Sequence, residues 1–363
     1  MANDTTPVVI ETPTRMDFFG PWNDVNPWRR EIGKPGATLN VPISMISRVI
    51  ATPLYHPVKV SGPSGSRLVH QEESKVVLVS EDTGARAIIE AEEMEKIEVE
   101  SSLRLARAAV ARLGINGVKI TTSSDAPAGS GVGSSSAMAV GIVSALNLLS
   151  NKGMTVEDVI RMSRDIETAD LGIAGGWQDY YPGIYGPGVH FMVWEAGEDG
   201  GNLHEQVVVP DGFIDQMNRR VVFVYSGKSR LSGDIHAHVY GALRENRGNV
   251  RQAFEDLTCQ AYDGRDAFRR GDYMAVCQLV NASWHSQRML HESVSNAEIE
   301  VLFECALRNG AVAGKAGGAG GGGVLMFLAK DDKSRAPLIE ALTGCIERQQ
   351  IDDARILDCR ILA

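Results

Sequence analysis

The segment at 127–137, PAGSGVGSSSA, constrains the fold more than any other stretch of the chain. Glycines alternate at 129, 131 and 133, serines occupy 134–136, and an apolar run follows at 137–149. Alternating glycines let backbone N–H groups turn inward, and a following helix adds the positive end of its dipole to the same concavity. With an extended run at 117–122 before it, the pattern predicts strand, anion-cradling loop and helix in that order. No lysine follows the last glycine, which excludes a Walker A loop. No acidic residue ends a second strand about 20 residues on, which excludes a dinucleotide fingerprint.

Glycine is also in excess elsewhere. The chain has 38 glycines in 363 residues, eight of them at 310–323 and six at 172–188. Average usage is roughly 7%. No three-residue period is present, so collagen is excluded. The apolar run VLMFL directly after Gly323 argues against a flexible linker. A net charge of −10 argues against nonspecific binding to nucleic acid or an anionic membrane. Five cysteines (259, 277, 305, 345 and 359) form no C-x-x-C pair, which predicts reduced thiols rather than a zinc cluster. The first residues lack the pattern of a secretory signal, and the run at 137–149 is too short to span a bilayer. The expectation is a cytoplasmic protein without nucleic-acid or membrane partners.

Extended runs at 8–11, 47–52, 75–80, 87–90, 117–122, 189–194, 220–225 and 324–328 predict strands. Helical spacing covers 98–113, 137–149, 155–169 (with Thr155 as N-cap), most of 234–308 and 335–348. Breaks are expected near Gly264, Gly271 and Ser295. Strands cluster early and helices in the middle, which favours α+β. The division falls in the polar sequence between 195 and 221, giving expected domains 1–205 and 206–363.

The loop resembles that of the GHMP small-molecule kinases, Pro-x-x-x-Gly-Leu-Gly-Ser-Ser-Ala. It matches from Pro127 to Ser136, with Val132 in place of Leu and Ser136 in place of Ala. TPTRMDFFGPWNDV at 12–25 resembles the family's N-terminal substrate segment, and AGKAGGAGGGG at 313–323 its C-terminal glycine motif. Within the family the chain is most similar to the heptose phosphate kinases and fucokinase-like sugar kinases. LGIAGGWQDYYPGIYG at 171–186 and VYSGKSRLSGDI at 224–235 support this. Pro21, and Trp177 and Tyr180 flanking Gln178-Asp179, depart from the residues common there. These departures leave the acceptor open, with a cyclitol or other C7 polyol phosphate as alternatives. A catalytically silent sensor on the same fold is a further alternative.

The resemblance implies a two-domain α+β fold, with an N-terminal half like ribosomal protein S5 domain 2 and a ferredoxin-like C-terminal half. It implies ATP and Mg²⁺ as cofactors, a sugar or sugar-phosphate acceptor, and a monomer or homodimer. ATP is expected between the domains. Pro127, Gly129, Ser130, Gly131, Val132, Gly133, Ser134, Ser135 and Ser136 would hold its phosphates, and Ser135 and Glu167 the metal. Asp179 matches the catalytic aspartate, which orients the acceptor hydroxyl. Arg15 matches the basic residue that offsets developing charge. Spacing alone also allows Glu167 to be a solvated helix carboxylate, Arg15 a partner of Asp17, and Asp24 a turn residue. Asp24, Trp22, Asn23, Gly176 and Gln178 are the expected acceptor contacts. Lys228 and Arg230 are candidates for a substrate phosphate, and Gly318, Ala319, Gly320 and Gly321 for the facing wall.

Overall fold

The computed structural model describes residues 6–62, 65–72, 74–94, 96–197, 203–228 and 232–363. The chain packs as two units that interleave in sequence. One comprises the segments up to Thr12, Ile46–Asp125 and Ser135–Ile173; the other comprises Pro13–Met45, Ala126–Ser134 and Ala174–Ala363. Packing thus groups the chain differently from a single cut at 205/206. Two long strands, Val8–Phe19 and Gly36–Pro53, each contribute residues to both units. Only 8–11 and 47–52 of these strands have the β-branched runs that mark strands in sequence.

In the first unit, Lys75–Ser80 pairs antiparallel with Arg86–Glu90 and parallel with Val118–Ser124. The latter strand pairs antiparallel with residues 47–53. The helix Arg104–Leu113 makes the crossover that a parallel pair requires. It buries Ala106, Ala109, Val110 and Leu113, a spacing of three and four. The helix after the glycine loop is Ser134–Ser150, three residues longer at its start than the apolar run predicts. The apolar pattern marks only the portion that buries Val140, Val143 and Leu146, while serines suit a first turn. The helix Val156–Asp165 has the predicted cap. The Thr155 hydroxyl accepts from the Asp158 N–H at 3.2 Å, and the Asp158 carboxylate accepts from the Thr155 N–H at 3.0 Å. Its predicted last turn is instead a wider π-type turn, Ile166–Asp170.

In the second unit, four antiparallel strands run in the order Ala311–Ala316, Val324–Ala329, Val221–Tyr225 and Arg355–Leu357. The helices Tyr273–Arg288, Ala297–Arg308 and Arg335–Gln349 pack on this sheet. Val189–Trp194 pairs with residues 36–40 on one side and Leu203–Val207 on the other. Gly264 does not break the helical region but lies inside Val250–Arg270. Phe19 explains the glycine: a Cβ at Gly264 would come within 2.0 Å of its ring. The glycine tract is not all loop either, since the strand Ala311–Ala316 occupies its first half. No helix among the described residues is long and apolar enough to cross a membrane.

Candidate active site

The glycine-serine loop has the predicted backbone. Gly129, Gly131 and Gly133 have φ of +67°, +73° and +70°, a region that costs glycine nothing and other residues strain. Its carbonyls are turned into the protein. Ser130 O accepts from the Val324 N–H at 2.8 Å, Gly131 O from Arg15 Nη1 at 2.7 Å, and Val132 O from the Arg15 N–H at 2.9 Å. An anion-binding loop requires this, because a carbonyl oxygen facing a phosphate repels it.

Arg15 lies on the strand Val8–Phe19 and is almost fully buried. Its guanidinium meets Asp179 Oδ1 through Nη2 at 2.6 Å and Nε at 2.8 Å. Nη1 lies 3.4 Å from Asp17 Oδ1. Burial opposes the charge on Arg15, but Asp179 and Asp17 more than offset it and raise its pKa. Asp17, two residues along the same strand face, is fully buried. Its Oδ2 accepts from Lys315 Nζ at 2.6 Å, and its Oδ1 accepts from the Gly318 N–H at 2.7 Å. Asp179, Arg15, Asp17 and Lys315 therefore form a chain of alternating sign. The Asp179 side chain, 26% exposed, is its accessible end, and Lys315, at 0%, its buried end. The third glycine of the loop touches this accessible end. A Cβ on Gly133 would sit 3.4 Å from the Asp179 carboxyl carbon and 3.6 Å from Arg15 Cγ.

Asp24 serves the backbone that leads to Asp179. Its Oδ2 accepts from the N–H groups of Trp177 and Gln178 at 2.6 and 2.9 Å, and its Oδ1 from Gln178 Nε2 at 3.3 Å. Gly176 fits beside it only because it lacks a side chain, since a Cβ there would come within 1.8 Å of Asp24 Oδ2. Burial, and then the charge of Asp179, push the Asp24 carboxyl above the usual carboxylate range.

The proposed metal residues meet within the first unit. Ser135 Oγ donates to Glu167 Oε1, and Ser136 Oγ donates to Glu167 Oε2 at 2.8 Å. Glu167 lies in the π-type turn and is buried, not a solvated helix carboxylate. Such turns are frequent at functional sites.

The remaining candidates differ in their surroundings. Trp22 is buried against His236 and Tyr240 with a strained φ of +77°. Asn23 is fully buried; with its amide oriented to suit its neighbours, it donates to Phe254 O and accepts from the Thr258 N–H. Gln178 is buried, and its Oε1 has no hydrogen-bond partner among the described residues. Lys228 is ion-paired with Glu298. Arg230 lies outside the described residues. In the glycine tract, Gly318 O accepts from Gln287 Nε2 at 2.9 Å, and Ala319 is partly buried against the apolar core. The Gly320 N–H donates to Gly317 O at 3.4 Å, and the Gly321 N–H to Val294 O at 2.7 Å. The sequence pattern singles out neither Lys315 nor Gln287, and offers Asp17 only as an alternative partner of Arg15. For Lys315 a signal existed: it is the only charged residue in a tract of glycine, alanine and valine at 310–323.

The GHMP kinases N terminal domain model matches residues 100–187, and the GHMP kinases C terminal model matches residues 265–346. The chain is 28% identical over 338 residues to D-glycero-alpha-D-manno-heptose 7-phosphate kinase of Campylobacter jejuni, covering 92% of both chains. It is 28% identical to the bifunctional fucokinase/GDP-fucose pyrophosphorylase of Arabidopsis thaliana, covering 92% of this chain and 31% of that protein. In fold it resembles Lactococcus lactis galactokinase, with a TM-score of 0.75 at 18% identity, covering 100% of this chain and 95% of the other. The chain carries both GHMP kinase domains in the family's order, on the family's two-domain α+β fold, and belongs to the GHMP kinases.

Proposed function

We propose that the chain transfers the γ-phosphate of ATP to a hydroxyl of a sugar phosphate. The anomeric hydroxyl of a heptose 7-phosphate is the first candidate, on the likeness to the Campylobacter jejuni kinase. One observation carries the reading: the Arg15–Asp179 pair lies against Gly133 of the anion-cradling loop. Phosphoryl transfer requires positioning and charge stabilisation more than covalent chemistry by the protein. Asp179 Oδ2, whose sister oxygen is held by Arg15, accepts or orients the acceptor's proton. Arg15 offsets the negative charge that gathers between acceptor and phosphoryl group. Asp24 fixes the backbone at 177–178 and so the direction in which Asp179 points.

Ser135 and Glu167 suit Mg²⁺, because a hydroxyl and a carboxylate are hard oxygen donors and here they are already in contact. Among the described residues no group of three His, Cys, Asp or Glu side chains could hold a metal. Mg²⁺ is usually held by one or two protein oxygens with phosphate oxygens and water, so one serine and one glutamate suffice. When bound, Mg²⁺ would neutralise charge on the triphosphate.

An ATP-consumption screen over monosaccharides, sugar phosphates and cyclitols tests the reading. The expected result is turnover that is highest with a heptose 7-phosphate. Turnover confined to a cyclitol phosphate would replace the acceptor. Tight ATP binding without any turnover would replace the kinase with a sensor.

A further inference from the structure

Lys315 brings an amine into the protein interior, where burial pushes its pKa down and the charge of Asp17 pushes it back up. It is fully buried, and its ammonium donates to Asp17 O and Asp17 Oδ2, both at 2.6 Å. A lysine buried so deeply is costly unless the charge has a task or a partner. Its partner is a carboxylate that also faces Arg15. We propose that Lys315 is a positioning residue: by neutralising Asp17 from behind, it leaves the Arg15 guanidinium directed at Asp179.

The distances support this division. Arg15 contacts Asp179 at 2.6 and 2.8 Å but stands 3.4 Å from Asp17, although Asp17 is the nearer residue in sequence and the more deeply buried. A buried carboxylate with no other cation would be expected to draw the guanidinium to itself, because Coulomb attraction strengthens as water is excluded. Asp17 does not, and the difference lies in its two other donors, Lys315 Nζ and the Gly318 N–H. The charged groups of this cluster are Arg15, Asp17, Asp24, Asp179 and Lys315. Removing the last leaves three carboxylates around one guanidinium. Arg15 would then share its charge, and Asp179 would lose the contact that holds it in line.

This proposal rests on the kinase reading, so its test has one arm that needs activity and one that does not. Lys315→Met keeps the length of the side chain and removes its charge. We expect kcat to fall about 30-fold with KM for ATP changed less than about threefold, as for loss of a group acting in the transition state. Adding Asp17→Asn removes the charge that Lys315 answers, and the double variant should recover at least about fivefold of that loss. A purely structural lysine predicts the reverse, a double variant no better than the single. In a crystal structure of Lys315→Met, the Arg15–Asp17 distance should contract from 3.4 Å and the Arg15–Asp179 contacts should lengthen. Unchanged Arg15 geometry would overturn the proposal even if no acceptor were ever found. Absence of turnover in the parent protein would overturn only the kinase reading. If Lys315→Met fails to fold, the double variant decides: kcat within about tenfold of the parent supports the proposal, and a larger loss overturns it.

Discussion

The region around Asp179 and the region around Glu167 each present a carboxylate to the proposed chemistry, but they hold it by different means. Asp179 ends a chain of four buried or half-buried charges and is clamped by two nitrogens of Arg15. Glu167 lies in a widened helical turn and accepts from two serine hydroxyls in the first turn of the helix Ser134–Ser150. A charged clamp fixes direction and is costly to break. Neutral hydroxyl donors can be exchanged for a cation, because a metal offers the carboxylate more than a hydroxyl does. The first arrangement suits a group that must aim at one atom. The second suits a group that must let a ligand come and go with each turnover.

Substitutions that interchange these properties sharpen the contrast. Among the residues that support Asp179 and the metal site, the largest effect is expected for Arg15→Met, which leaves Asp17 and Asp179 without their shared cation. It should lower kcat by about 10³-fold and destabilise the fold by about 3–5 kcal/mol, read by steady-state kinetics and denaturant titration. Glu167→Gln should behave differently. It should cost about 10–100-fold in activity at limiting Mg²⁺, with a substantial part restored as Mg²⁺ is raised and little change in stability. An equal loss at all Mg²⁺ concentrations would remove Glu167 from the metal site. Asp24→Asn keeps one acceptor for the N–H groups of Trp177 and Gln178 but loses its charge. A loss of about 1–2 kcal/mol in transition-state stabilisation, without a matching rise in the acceptor's KM, would mark Asp24 as a support for Asp179. A rise in KM alone would return it to the acceptor.

The smallest effect lies away from both regions. His204 packs tilted against Tyr185 and bonds to His190, and burial followed by the charge of His190 depresses its pKa to about 4. The unfolded chain then binds the extra proton between pH 6.5 and 4, so stability should fall as pH drops through that window and level off below it. After allowance for solvent screening, His204 should account for about 1–2 kcal/mol. Thermal melts of the parent and His204→Gln between pH 7 and 4 should diverge by that amount, with the variant less sensitive.

Legibility in the sequence followed the type of signal. Backbone requirements were plain: the alternating glycines of 129–133, the Thr155 cap and the strand after Gly323 all occur where residue type predicts them. Helix and strand limits were missed where tertiary contacts decide them. The strand Gly36–Pro53 continues through polar and proline-containing sequence because it has partners on both sides, and Gly264 stays helical because Phe19 occupies its side-chain space. The pairing of Arg15 with Asp17 was foreseen as one of two alternatives; the structure shows that contact and the one to Asp179 together. Lys315 was not foreseen, because its partner is 298 residues away and no local pattern joins them.

The central claim is that this GHMP kinase moves a phosphoryl group under the control of Asp179, and one side-by-side measurement addresses it. The parent protein and Asp179→Asn are each mixed with Mg-ATP and a heptose 7-phosphate, and ATP binding and ADP release are followed in the same samples. The account predicts equal ATP affinity and ADP release slower by about 10³-fold or more in the variant. ADP release by Asp179→Asn at nearly the parental rate would contradict it.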